Sequence, residues 1–110
     1  MDAIVINNDK MGSGSDDLGT VLIGAFLKKL WAREKKPDTI IFYNSGVLLL
    51  KKSSGFMDVL VGLEESGVEL LACGTCLNHY AMADDLVAGR VSNMEEIVDY
   101  MDKAQKVVTI

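Results

Sequence analysis

The sequence has few of the residues that form disulfides, interrupt helices or bind metals. Its 110 residues include one proline, two cysteines, one histidine and one tryptophan. A chain of this length buries enough surface to fold without a disulfide or a metal. Hydrophobic residues make up 49% of the chain, which excludes a disordered protein, and the length fits a single domain over residues 1–110.

Excess positive charge and long apolar runs are also missing. The net charge of −5 and the pI near 4.7 argue against a nucleic-acid partner, because binding to phosphates needs a basic surface. No apolar run approaches the roughly 20 residues that span a bilayer, so no membrane association is expected. The start at Met1–Ile4 has no positively charged segment and no long apolar segment, so we expect no signal peptide and a cytoplasmic location.

Apolar runs rich in β-branched residues alternate with segments of helical periodicity. The strands are predicted at 3–7, 39–43, 68–72 and 106–110. Strands that are apolar throughout and alternate with helices are typical of a parallel sheet covered on both faces. Right-handed crossovers then place the loops 8–17, 44–46 and 73–76 at one edge of that sheet.

Five helices are predicted between these strands. The first follows the 8–17 loop with Asp16 or Asp17 as its cap and ends before Pro37, and its buried stripe is expected to be Leu18, Val21, Leu22, Ala25 and Phe26, widened by Ile23, Leu27 and Trp31. The short apolar run 47–50 is interpreted as a second helix. A third is predicted after a cap at Ser53 or Ser54, with Gly67 as the residue that follows its end.

The last helix opens at a capping box. Ser92 is the expected cap, with Glu95 three residues later, and Met94, Ile97, Val98 and Met101 are the expected apolar face. Between the third predicted strand and this helix, 77–82 is interpreted as a short helix. Residues 83–91 are expected to hold an irregular turn or a short edge strand.

Both cysteines and the only histidine lie within seven residues, 73–79. Cys73 ends an apolar strand, Gly74 and Thr75 form a turn, and Cys76 begins a segment that can be helical. Backbone N–H groups and a helix start favour thiolate over thiol, so this position favours a reactive cysteine. The alternative is that the cysteines only pack, since free cysteine is among the most buried residue types.

The other residues of the predicted rim come from the three loops. Because those loops share one edge of the sheet, we expect the cysteines to lie beside Gly12 and Gly14 and beside Asn44, Ser45 and Gly46. Together with the cysteines' own segment, the predicted binding residues are Gly12, Gly14, Asn44, Ser45, Gly46, Gly74, Thr75 and His79.

Three other interpretations of these motifs were weighed. Gly12-Ser13-Gly14 is not a dinucleotide loop, because the third glycine of G-x-G-x-x-G falls on Asp17, and a mobile loop is favoured. A C-x-x-C-x-x-H set could hold a metal with an open fourth position, but a structural site needs four ligands, so no metal and no cofactor are predicted. A thioredoxin-like site usually has a cis-proline facing the motif, which Pro37 cannot supply, although a reversible Cys73–Cys76 disulfide remains possible.

His79 has two interpretations. It is either a surface residue or a cation that supports a thiolate.

Four segments together resemble the DsrE/DsrF-like family, and most closely the C-terminal domain of YedF-type selenium metabolism proteins. They are 4–8, the loop 11–19, the Tyr-Asn-Ser-Gly-Val of 43–47 and the Cys-Gly-Thr-Cys-Leu of 73–77. The resemblance implies a three-layer α/β/α fold with a mostly parallel sheet of four or five strands. It also implies trimers or hexamers. YedF-type proteins usually carry a TusA-like domain before this part, and the chain starts directly with the DsrE-like part.

The resemblance further implies a link to sulfur relay. In the sulfur-relay members a cysteine just after a strand carries a persulfide between proteins, and Cys73 matches that position, while Cys76 matches the additional cysteine of the YedF-like pattern. The first functional hypothesis is therefore a sulfurtransferase-like carrier of sulfur or selenium, with donor or acceptor proteins such as a TusA-like protein. The second is a non-catalytic oligomeric module for assembly or small-ligand binding, motivated by the four apolar residues 47–50.

Overall fold

The computed structural model describes all 110 residues, as five strands and four α-helices joined by short connections. Two consecutive 3₁₀ helices, Asn44–Leu50 and Lys52–Ser54, follow the second strand. The other elements are β1 (Asp2–Ile6), α1 (Asp16–Ala32), β2 (Thr39–Phe42), α2 (Met57–Glu65), β3 (Glu69–Cys73), α3 (Gly74–His79), β4 (Arg90–Ser92), α4 (Met94–Lys103) and β5 (Lys106–Thr109). None of the helices combines the length and the apolar character that crossing a bilayer requires.

The five strands form one sheet in the order β4-β3-β2-β1-β5, and every neighbouring pair is parallel. The parallel α/β fold predicted from the sequence is confirmed, with the edge strand β4 taking the last part of the segment that the sequence left open. Because all strands run the same way, their carboxyl ends meet at one edge, as expected for the three loops.

The helices cover the two faces of the sheet unequally. On one face, α1, α2 and the 3₁₀ helix Asn44–Leu50 enclose a cluster of 18 buried residues. On the other, the aligned side chains of Val5, Ile41 and Leu71 pack against Ile97 of α4 in a cluster of five. The molecule is therefore a three-layer α/β/α fold whose second helical layer is thin.

Helix α1 buries Ile23 and Leu27 of the predicted stripe but not the residues at the centre of that stripe. The buried residues are Gly19, Ile23, Gly24, Leu27 and Leu30. Leu18, Val21 and Leu22 of the predicted stripe are instead 56%, 66% and 42% exposed. The two glycines explain the orientation, because a Cβ at Gly19 would contact the Lys10 side chain and one at Gly24 would contact the Phe56 ring. The helix turns its small residues toward its neighbours and leaves an apolar stripe in solvent.

The ends of three helices also differ from the predictions by one or more residues. Ser15, not Asp16 or Asp17, caps α1 through its hydroxyl, which accepts the N–H of Leu18. The helix ends at Ala32 rather than running out through residues 33–36. Asn93, not Ser92, caps α4 by accepting the N–H of Glu96, and Phe56 rather than Ser53 or Ser54 precedes α2. Gly67, by contrast, has the positive φ of +100° expected after a helix end.

The apolar run 47–50 is helical as predicted, in a 3₁₀ form that begins at Asn44. Val47, Leu49 and Leu50 are buried in the core of the monomer, so the run is not an exposed assembly patch. Gly46 permits this packing, because a Cβ there would overlap the carbonyl oxygen of Ile6 at the end of β1. The backbone on either side of residue 46 is thereby pressed against the end of β1.

A charged cluster holds α4 against the edge of the sheet. Arg90 of β4 donates to both carboxylate oxygens of Glu96, at 2.8 and 3.0 Å, and Tyr100 donates to Glu69 of β3. The hydrogen bonds from Arg90 and Ser92 lower the pKa of Glu96. The hydrogen bond to Glu69 raises the pKa of Tyr100, since ionising the phenol would remove its donor. These bonds supplement the single fully buried side chain of α4, Ile97.

Replacing Gly46 by alanine should destabilise the fold by about 1–3 kcal/mol or more, because the new Cβ meets backbone atoms that cannot rotate away. Urea unfolding followed by circular dichroism measures the loss. Ser45→Ala is the matched control, since it removes only a 3.4 Å hydrogen bond to Asn8 and should change stability by less than about 1 kcal/mol. Equal stabilities of Gly46→Ala and the native protein would contradict the close contact.

Candidate functional site

Cys73 is the last residue of β3 and lies on the α4 face of the sheet. Its side chain belongs to the cluster of Val5, Ile41, Leu71 and Ile97 and is 3% exposed. The strand places it there by simple alternation, because Cys73 points the same way as Leu71 two residues earlier. The thiol therefore sits at the carboxyl edge of the sheet, almost wholly covered.

Cys76 lies in the first turn of α3 and is half-buried. Its Sγ accepts the backbone N–H of Asn44, at 3.1 Å, from the start of the 3₁₀ helix after β2. Asn44 has a φ of +51°, a left-handed conformation that asparagine adopts more readily than most residues. The chain thus adopts an uncommon backbone conformation at the residue whose N–H points at a sulfur.

Burial and hydrogen bonding act on the Cys76 thiol in opposite directions. Burial raises its pKa, the N–H of Asn44 lowers it, and the neighbouring Cys73 raises it again, so that the pKa lies above the usual thiol value. The expectation that a helix start favours thiolate is therefore wrong for Cys76, where desolvation outweighs the donor. Helix α3 has only six residues, so it brings few aligned peptide dipoles to the site.

The two thiols are free, and the neighbouring Cys73 is one of the groups that raise the pKa of Cys76. A cysteine that stays protonated beside a second cysteine can donate a hydrogen bond to that partner's thiolate. The pair is asymmetric in burial, because Cys76 is half-buried whereas Cys73 is almost wholly covered.

The loops after β1 and β2 meet beside this pair, as predicted for Asn44, Ser45 and Gly46. The hydroxyl of Ser45 donates to the side-chain oxygen of Asn8, at 3.4 Å, and the same oxygen accepts the N–H of Lys10 at 3.0 Å. The sequence prediction did not include Asn8, although its place directly after a strand could have indicated it. Gly74 packs closely against β4, since a Cβ there would lie 3.1 Å from the carbonyl oxygen of Ser92, and its predicted role in binding stays a prediction.

The remaining predicted residues are less closely associated with the thiols. Gly12 and Gly14 have the positive φ values expected of a glycine loop, +85° and +132°, but a Cβ at either would touch nothing and neither hydrogen-bonds to residues 73–79. Thr75 and His79 are exposed on α3. The ring of His79 packs edge-on against Tyr80, with centroids 4.9 Å apart.

Metal ligation by this segment has no geometric support. No three side chains among the histidine, cysteines and acidic residues of the chain come together as a metal would require. Cys73, Cys76 and His79 do not converge, because Cys73 points into the sheet layer whereas His79 lies exposed at the far end of α3. The site's available chemistry is that of two thiols.

These features define a class of protein: a parallel α/β domain with a cysteine pair where the third strand meets a short helix. A sequence profile described as the DsrE/DsrF-like family matches residues 3–110. The chain belongs to this family, and the family resemblance seen in the sequence is confirmed.

Solved structures give the same fold. The YchN protein of E. coli has a TM-score of 0.69 at 19% sequence identity, with 99% of this chain and 97% of that chain covered. The protein MTH1491 of Methanobacterium thermoautotrophicum, titled as being of unknown function, has a TM-score of 0.72 at 23% identity over the same shares. BT1422 of Bacteroides thetaiotaomicron, also titled as being of unknown function, has a TM-score of 0.67 at 14% identity and covers 99% and 94%.

No curated protein matches the chain significantly in sequence. At these sequence identities the solved structures establish the fold alone, so the chemistry has to be inferred from the geometry of the site. The closer resemblance to the C-terminal domain of YedF-type proteins stays a prediction.

Substituting Cys73 by alanine should shift the pH profile of Cys76 alkylation toward lower pH. The neighbouring Cys73 contributes to the raised pKa of Cys76, so its removal leaves only burial opposing the N–H of Asn44. Iodoacetamide rates measured from pH 6 to 11 by mass spectrometry give the midpoint. His79→Gln is the control and should leave the midpoint unchanged. An unchanged midpoint in Cys73→Ala would mean that the two thiols do not interact.

Proposed function

We propose that the protein carries sulfur or selenium as a cysteine-bound persulfide or its selenium analogue, in the manner of a sulfur-relay carrier. The observation that carries this proposal is the pair of free, adjacent thiols at the carboxyl edge of the sheet, one of them bonded to a backbone N–H. Membership of the DsrE/DsrF-like family supports a sulfur-relay fold. The donor and acceptor would be proteins of the cytoplasm, such as a TusA-like protein.

Loading is a thiol–persulfide exchange at Cys73. Its thiolate attacks the outer sulfur of a donor persulfide, the donor's S–S bond breaks, and the donor leaves as a thiolate while Cys73 becomes a persulfide. No net oxidation occurs, because the outer sulfur only changes its partner. Cys76 supports the step by remaining protonated and donating its S–H to the Cys73 sulfur, in keeping with its raised pKa.

Release uses Cys76 as the second thiol. Once deprotonated, its sulfur attacks the inner sulfur of the Cys73 persulfide, and the outer sulfur leaves as hydrosulfide. The outer sulfur gains two electrons and the two cysteines lose two in forming a disulfide, which an external dithiol must then reduce. In transfer to an acceptor protein, the acceptor thiolate attacks the outer sulfur instead and no disulfide forms.

In this proposal a donor reaches Cys73 beside Cys76, the more exposed of the two thiols. Cys73 is 3% exposed, whereas Cys76 is half-buried and lies nearer the solvent. Helix α3 is short, and apart from the buried Leu77 it offers mainly exposed or half-buried side chains. Because Cys73 is covered, we expect the donor to displace part of that cover, such as the short helix α3, as it delivers its sulfur.

Incubation with a low-molecular-weight persulfide followed by intact-mass spectrometry tests the assignment. The native protein should gain the mass of one sulfur on Cys73. Cys73→Ser should lose this adduct. Cys76→Ser should retain it and release sulfide at least tenfold more slowly, because the resolving thiol is absent.

Thr75→Ala serves as the matched control, since it changes an exposed residue between the cysteines without removing a thiol. It should load and release like the native protein. Loading of Cys73→Ser to the native level would overturn the role of Cys73, and fast sulfide release by Cys76→Ser would overturn the role of Cys76.

A second candidate function is assembly without thiol chemistry, which the exposed stripe of α1 favours. Leu18, Val21 and Leu22 form an apolar surface between Asp17 at the start of the helix and Lys28 and Lys29 near its end. Two copies of α1 packed antiparallel would bury this stripe and bring the acidic end of each helix near the basic end of the other. The trimers or hexamers implied by the family resemblance could use this surface.

Sedimentation velocity of Leu22→Asp tests the assembly. The variant places a charge in the stripe and should sediment as a smaller species than the native protein while keeping its circular dichroism. Thr20→Asp is the control, because it adds the same charge to an exposed position outside the stripe. If Leu22→Asp and the native protein sedimented identically, the stripe would not be the interface.

A further inference from the structure

A cavity of about 260 Å³ lies at the opposite edge of the sheet from the cysteines. It is enclosed by the end of α1, the turn that leads to Pro37, and the first residues of β1 and β5. Ile4 and Val108 are register partners on these two strands and form part of its apolar lining. Phe26 and Leu30 of α1 complete the apolar lining, Leu30 being 9% exposed.

Four cationic side chains surround this apolar lining: Arg33, Lys35, Lys36 and Lys106. They are more than a third of the 11 lysines and arginines, in a chain whose net charge is −5. None of the four forms an ion pair. The cavity therefore has four cationic side chains without a carboxylate partner around its apolar lining.

The local carboxylates do not neutralise this charge. Asp2 lines the cavity beside its register partner Lys106 but lies beyond ion-pair distance of it. Asp38, next to Pro37, accepts the backbone N–H of Asp2 at 2.6 Å. The amino group of Lys36 donates to the carbonyl oxygen of Arg33 at 2.6 Å, which fixes the turn. Arg33, Lys35 and Lys106 keep donors available to a ligand.

We infer that this cavity binds a small organic anion, with its apolar body on Ile4, Phe26, Leu30 and Val108 and its charged group against Arg33, Lys35 and Lys106. An arginine fork and nearby ammonium groups suit a carboxylate or a phosphate ester, while the lining suits an aliphatic or aromatic body. The volume falls below the roughly 300–1,000 Å³ typical of drug-sized ligands, so the ligand is small. The inference is independent of the cysteine chemistry.

Octanoate is the probe, with octan-1-ol and octylamine as analogues that lack the negative charge. In two-dimensional NMR of the full chain, octanoate should shift amides at 2–4, 26–37 and 106–108 and bind with a Kd of about 1 mM or tighter. Octanol should bind at least about threefold more weakly, and octylamine more weakly still. Raising the salt concentration should weaken octanoate binding and leave octanol unaffected.

Two variants and a control locate the site. The double variant Arg33→Gln with Lys35→Gln should weaken octanoate binding roughly threefold to tenfold, as expected for removing two partly exposed cations. Val108→Thr should weaken octanoate and octanol alike, because it places a hydroxyl on the apolar lining. Lys28→Gln with Lys29→Gln removes the same charge from α1 outside the cavity and should leave binding unchanged.

Three results would overturn the inference. Equal affinities for octanoate and octanol would show that the cations do not recognise an anion. The proposed site would be wrong if the Arg33→Gln, Lys35→Gln variant bound octanoate with native affinity. It would also be wrong if octanoate at several millimolar shifted no amides. Shifts of the same amides that depend on protein concentration and not on octanoate would assign the surface to self-association instead.

Discussion

The parallel pairing of β1, β2 and β3 is the constraint on which the candidate site depends. It brings three strand ends to one edge, so the loop that leaves β2 must pass between the ends of β1 and β3. Gly46 lets that loop lie against the Ile6 carbonyl, and the left-handed Asn44 directs its N–H at Cys76. A wider turn would separate the thiol pair from its only backbone donor. The hydrogen bond at sulfur is thus a consequence of sheet topology.

The site also shows how burial competes with hydrogen bonding at a thiol. One N–H aimed at Cys76 stabilises a thiolate, yet burial and the second cysteine prevail and hold its pKa high. The two thiols also differ in burial, since Cys73 is 3% exposed and Cys76 is half-buried. The two sulfurs differ because one ends a strand and the other begins a helix.

Much of the fold follows from local patterns, and the failures have specific causes. The strands, the glycine at 67 and the shared edge of the three loops were predictable, because apolar runs and turn residues are local signals. The buried face of α1 was not, since the helix carries two apolar stripes and hydrophobicity alone does not distinguish them. Gly19 and Gly24 indicate the buried face, because both lie where neighbouring side chains pack closely against the helix. The pKa direction of Cys76 required the burial that only the assembled layers provide.

The uneven layers explain where the remaining surface features lie. Helix α4 buries one side chain fully, so Met94 and Val98 stay 54% and 57% exposed on that layer. Strand β5 is exposed along its length, and the cavity lies where Phe26 and Leu30 of α1 face Val108. A sheet of five strands under so few helices therefore keeps its thiols at the carboxyl edge, and four cations without an ion pair surround the cavity at the opposite edge.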